Sequence, residues 1–115
     1  MKYILNIGLD GNIYGEVVTQ LNNLRSRWFD NYHITEQMGE YNGVPEQTAV
    51  ITLDSEAHYS SIEIMIKKLC KSLKQECIPF ALTDKHGNMF GSLVYNDNYI
   101  GKKQNFNRNY FITKH

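Results

Sequence analysis

A chain of 115 residues is the size of one domain, and 42% hydrophobic against 21% charged residues with two prolines excludes a disordered or low-complexity chain. Twelve Lys plus Arg offset twelve Asp plus Glu, so net charge gives no long-range attraction to nucleic acid or an anionic membrane; such binding would need a local patch. Two cysteines, Cys70 and Cys77, are too few for a disulfide framework, their spacing fits no zinc or redox pair, and the N-terminal run is no signal peptide, so a cytoplasmic protein without a membrane span is expected.

Tyr3, Leu5, Ile7 and Leu9 alternate with more polar residues and predict a strand. After the Asp10-Gly11-Asn12 turn, Val17, Val18, Leu21, Leu24 and Trp28 recur at helical spacing, with the helix ending near Asp30-Asn31. Residues from Tyr32 to Met38 alternate as a second, more polar strand, which suits a sheet edge. Gly39 to Pro45 reads as a turn cluster, and Glu46 to Leu53 as a central strand. Ser60-x-x-Glu63 has the form of a capping box ahead of a second helix whose stripe is Ile62, Met65, Ile66, Leu69, Cys70 and Leu73. Ile78, Phe80 and Leu82 mark a fourth strand, in which Pro79 argues for an edge or a strand start; Asp84 to Asn88 then turns the chain into Met89 to Tyr95.

The order β-α-β-β-α-β plus one strand predicts an α+β two-layer sandwich of ferredoxin-like layout, with an additional C-terminal strand or hairpin. Residues 1–95 form the expected domain, and 96–115 a basic, aromatic extension packing on it or on a partner. Both helices would cover one sheet face. The other face would be solvated or buried against a second subunit, so a homodimer or higher homo-oligomer is expected.

Gly8 to Gly15 lies between a strand and a helix start, where backbone N–H groups hold anions, although its spacing is neither a Walker loop nor a dinucleotide fingerprint. Asn12 and Tyr14 are the candidates there, set against glycines that serve backbone geometry alone. In the tail, Tyr99, Lys102, Lys103, Phe106 and Arg108 interleave cations with aromatics as single-stranded nucleic acid sites do; the alternative is a terminal strand at Tyr110-Phe111-Ile112 covering a sheet edge. Arg25 and Arg27 add charge, and Trp28 and Tyr41 add stacking surface, though Trp28 at helical spacing also suits the core.

Asp54, Glu56, His58 and Tyr59, or the turn carboxylates Glu36, Glu40 and Glu46, would bind a metal or act as acid and base only if their geometry converged, and sequence spacing does not bring them together. Cys70 sits on an apolar stripe, and His33, His86 and His115 are scattered, so no nucleophile–base pair, metal site or cofactor is expected and no catalytic residue is assigned.

The run Gly39-Glu40-Tyr41-Asn42-Gly43-Val44-Pro45-Glu46-Gln47-Thr48-Ala49-Val50-Ile51, followed after a helix by Lys74-Gln75-Glu76-Cys77-Ile78, resembles a layout of small uncharacterised phage and mobile-element proteins. The resemblance implies a protein that works in the host cytoplasm against host defences, by binding a nucleotide signal or a host protein. The leading expectation is a non-enzymatic, phage-type accessory protein that binds and sequesters a small anionic, nucleotide-type ligand. The alternatives are a small nucleotide phosphodiesterase using His33, His58 or His86, and an inhibitor that docks on a host protein.

Overall fold

The computed structural model describes residues 1–9, 14–41, 43–107 and 111, excluding the side chains of 40 and 41. Its elements run β1 (Lys2–Gly8), α1 (Tyr14–Leu24), β2 (Asn31–Tyr41), β3 (Val44–Asp54), α2 (Tyr59–Ser72), β4 (Cys77–Thr83) and β5 (Met89–Tyr95). The five strands form one antiparallel sheet in the order β2-β3-β1-β4-β5, with β1 in the middle and β3, the strand expected to be central, interior beside it.

Alternation decides which side is covered. Tyr3, Leu5 and Ile7 of β1, Ala49, Ile51 and Leu53 of β3, and Ile78 and Phe80 of β4 are buried on one face. Val17 and Leu21 from α1 and Ile62, Met65, Ile66, Leu69 and Cys70 from α2 close over them, making a small α+β two-layer molecule. Tyr32 of β2 donates its hydroxyl to Asn22 Oδ1 at 2.8 Å, so α1 lies over the β2–β3 side, while α2 packs on β4 and β5. Among the described residues no helix is long and apolar enough to cross a membrane.

Four sequence expectations need correction. The α1 helix stops at Leu24, not near Asp30-Asn31: Ser26 adopts φ +73°, and its N–H donates to Phe29 O at 2.8 Å, turning the chain back on itself. The turn after β2 is far shorter than Gly39–Pro45, because β2 runs on to Tyr41 and β3 begins at Val44, with Gly43 at φ +80°. The Ser60-x-x-Glu63 box does not start α2, whose N-cap is His58 with no side-chain cap bond; Ser61 and Ile62 donate their N–H groups to the His58 carbonyl instead. Pro79 does not make β4 an edge strand, since β4 lies between β1 and β5, but it sits in the part of β4 that is open on the β1 side. It is accommodated because β1 pairs with β4 only over Phe80–Thr83, so no ladder bond to β1 needs its missing N–H.

The β4–β5 hairpin is held at its tip by Asp84. Its carboxylate accepts from the N–H groups of His86 and Asn88 and from Asn88 Nδ2, at 2.8 to 3.0 Å, which holds that carboxyl below the usual range.

Candidate functional site

On the face away from the helices, the side chains at the end of β1 shrink to nothing at Gly8. Gly8 pairs with Thr48 of β3, and Glu46 follows two residues along the same face. A Cβ at Gly8 would lie 2.9 Å from Glu46 Oε2, so only glycine lets this carboxylate lie across the strand. Gly39 of β2 makes the same allowance for Thr48, whose Oγ1 would be 2.6 Å from a Cβ there. The Thr48 hydroxyl donates to Glu46 O at 3.1 Å. Two strand glycines therefore seat a half-buried carboxylate and a buried hydroxyl at the sheet end where the chain leaves for α1.

This placement bears on what can bind there. A phosphate brought to the Gly8 end of β1 on the helix-free face would meet the Glu46 carboxylate, a like charge in a partly desolvated setting. Neutral hydroxyls, which can donate to a carboxylate, or a cation would gain from the same group. Asn12 lies outside the described residues; Tyr14 opens α1 with an exposed ring.

The other expected site residues fall in two places. At the end of the sheet where β3 finishes, Arg25 donates from Nε to Asp30 O at 3.2 Å and from Nη2 to Asn31 Oδ1 at 3.2 Å, closing the α1–β2 turn. Trp28 is half-buried there; its carbonyl accepts from the buried Ser55 hydroxyl at 2.6 Å, and its ring carries Arg27 at 5.9 Å and Lys68 of α2 at 5.4 Å. At the opposite end, where β5 finishes, Tyr95 gathers the tail. Its ring lies 4.7 Å from that of Tyr99 and 5.7 Å from Lys103 Nζ, and its hydroxyl accepts from Gln104 N at 2.7 Å. Tyr99 donates to Lys102 O at 3.2 Å, and the Phe106 ring fills the space above Gly91. Arg108, the Tyr41 side chain and the Tyr110-Phe111-Ile112 strand lie outside the described residues, Phe111 excepted, which is in a helical turn with its ring 6.0 Å from Phe106.

No protein-family model matches the chain, and no curated protein sequence does. A solved structure does match. It is that of a phage SAM lyase in complex with S-methyl-5'-thioadenosine, and the likeness covers 86% of this chain and 92% of that chain at a TM-score of 0.67. Sequence identity is 18%, so what the two share is the fold. The ligand of that lyase is an uncharged nucleoside thioether with no phosphate.

The remaining reactive groups are dispersed or silenced. His33 is exposed on β2, His58 starts α2, and His86 is in the β4–β5 turn. Among the described residues no three His, Cys, Asp or Glu side chains are grouped to hold a metal. Burial pushes the Cys70 thiol up to about 11 and the Cys77 thiol up to about 12, and Cys70 donates to Gln75 O at 3.2 Å.

Sequence reasoning passed over three participants. Glu46 was read as a solvated turn carboxylate, although Gly8 inside an otherwise apolar strand signalled a close approach. Tyr95, the anchor of the tail, looked like one more strand aromatic. Gln75, which holds the Gly8 backbone from behind, left no local signal at all.

Proposed function

We propose that this chain is a phage-type protein whose ligand is an adenosine thioether or sulfonium of the S-adenosylmethionine class, and that it depletes S-adenosylmethionine by cleaving it. What carries the reading is the likeness to the phage SAM lyase over nearly the whole of both chains. The strand order β2-β3-β1-β4 with α1 and α2 on one face supports the ferredoxin-like layout as the frame, with β5 appended. A nucleotide-type ligand was expected from sequence as an anion; the Glu46 carboxylate against Gly8 favours a ligand without phosphate there, with ribose hydroxyls donating to it.

The chemistry itself calls for neither a strong acid nor a metal. Breaking a sulfonium S–C bond gives both electrons to sulfur, and a neutral thioether leaves without needing a proton. The carbon left behind is satisfied either by the substrate's own carboxylate, which closes a ring, or by loss of a neighbouring proton. Because positive charge disperses as the bond breaks, a carboxylate bound tightly to the sulfonium would stabilise substrate more than transition state. Glu46 is therefore assigned to positioning the ribose.

The test is incubation of the purified chain with S-adenosylmethionine followed by chromatography and mass spectrometry. Accumulation of S-methyl-5'-thioadenosine supports cleavage. Retention of intact S-adenosylmethionine supports sequestration of the same ligand class, and neither retention nor turnover rejects the reading.

A further inference from the structure

Side chains far apart in sequence meet at one end of the sheet, on the side away from the helices. β1 finishes at Gly8 with Glu46 of β3 lying over it, β4 starts at Cys77, and β5 finishes at Tyr95, which pairs with Cys77. Cys77 and Tyr95 alternate with Ile78 and Val94, which are buried beneath α2, so both point to the helix-free face that Glu46 occupies. The Cys77 thiol and the Tyr95 hydroxyl meet there in a hydrogen bond.

The register gives the spacing. Leu5 pairs with Phe80, and three residues beyond that pair come Gly8 in β1 and Cys77 in β4. Tyr95 stands one strand further on, so it lies two strand intervals from Gly8, roughly 10 Å. That span suits an adenosine with its base at Tyr95 and its ribose hydroxyls at Glu46. Burial pushes the Cys77 thiol between them up to about 12, so the floor there carries no charge at neutral pH.

One loop residue holds the two ends in register. The Gln75 side chain binds both backbone groups of Gly8, at 3.1 and 3.0 Å, while its carbonyl accepts from Asn96 Nδ2 at 3.2 Å. Asn96 N–H donates to Glu76 O at 2.9 Å; its side-chain Oδ1 accepts from Asn98 N–H at 3.2 Å and its carbonyl from Tyr99 N–H at 3.0 Å. This turn returns the Tyr99 ring to 4.7 Å from that of Tyr95, and Gly101 leaves room for it. Both rings are only half-buried. Lys103, whose Nζ lies over the Tyr95 ring at 5.7 Å, is exposed on a flexible stem and free to vacate that ring for a base.

We propose that Tyr95 and Tyr99 form the stacking platform for the adenine of the thioadenosine ligand, with Glu46 holding its ribose across Cys77. The assignment rests on the reading of the ligand as an adenosine thioether or sulfonium, and it adds the position of the base, which that reading leaves open. Affinity then depends on the segment that follows β5 as well as on the sheet.

The experiment is titration of the full chain with S-methyl-5'-thioadenosine, read by calorimetry and by nuclear Overhauser effects from the base protons of the bound ligand. In wild type those protons give effects to the Tyr95 and Tyr99 rings. Tyr95→Leu binds about tenfold or more weakly than wild type. Tyr95→Phe keeps the ring and loses the hydroxyl that accepts from Gln104 N–H, and it binds within about threefold of wild type. A loss in Tyr95→Phe equal to that in Tyr95→Leu overturns the platform, because the hold on the tail and not stacking would then set affinity. Wild-type binding without effects to either ring, or undiminished binding by Tyr95→Leu, overturns the platform and leaves the ligand reading intact. A wild type that does not bind the thioether overturns both. Should Tyr95→Leu fail to fold, the effects seen in wild type decide.

Discussion

The Gln75 side chain stands in for a missing strand residue beside Gly8. Gly8 N–H donates to Gln75 Oε1 at 3.1 Å, and Gln75 Nε2 donates to Gly8 O at 3.0 Å, across 67 residues of sequence. β4 has by then left β1, whose pairing with it ends at Leu5 and Phe80, so a carboxamide completes the ladder that the backbone cannot. The clamp fixes the strand end on which the Glu46 carboxylate rests.

Gln75→Leu leaves a partly buried N–H and C=O without these partners and is expected to lower unfolding free energy by about 2 kcal/mol, read as a lower urea midpoint with unchanged slope. Gln75→Glu keeps the acceptor for Gly8 N–H and loses the donor to Gly8 O, so it should fall between Leu and wild type. Equal stability of all three chains would mean that water replaces the clamp.

The cysteines make a pH prediction. Burial raises both thiols above the ordinary thiol value of 9.0, to about 11 for Cys70 and about 12 for Cys77. The folded chain then holds protons that the unfolded chain releases, so the stabilisation is complete below pH 9.0 and is lost as pH rises through the folded values. Urea midpoints should fall between pH 9 and 11 in wild type and fall less in Cys70→Ala with Cys77→Ala. At pH 7.5 neither thiol should react with iodoacetamide until denaturant is added.

Beyond the Tyr95 contacts, Phe106 is a second point at which the tail meets the sheet, because Gly91 leaves no side chain beneath its ring. Phe106→Ala should release the segment after Tyr95, so that trypsin cleaves after Lys102 and Lys103 faster while the circular dichroism of the sheet is unchanged. A cleavage rate equal to wild type would show that the Tyr95 contacts with Tyr99, Lys103 and Gln104 hold the tail unaided.

The frame of this fold was legible because period-two and helical apolar spacing are local. Tyr3, Leu5 and Ile7, or Ile62, Met65, Ile66 and Leu69, state their buried faces without reference to anything distant. Element ends were less legible. Leu24 ends α1 because Ser26 and Phe29 bond to each other, and Pro79 sits mid-sheet because β1 stops short of it; both depend on pairings that spacing does not encode. The site was least legible. Gly8 was marked as the start of a glycine turn, but the charge beside it comes from Glu46 of β3, which reaches it only through strand register.

The central claim is that the ligand is an adenosine thioether or sulfonium and not a phosphate. The direct measurement is calorimetric titration of the chain with S-methyl-5'-thioadenosine and, separately, with adenosine 5'-monophosphate, which differ at the 5' position, for wild type and Glu46→Gln. The account predicts binding of the thioether, at least tenfold weaker binding of the monophosphate, and a loss of about tenfold or more in thioether affinity for Glu46→Gln, since a bond to a charged acceptor contributes roughly 1.5–3 kcal/mol. Monophosphate binding equal to or tighter than the thioether, or no binding of either, would contradict it.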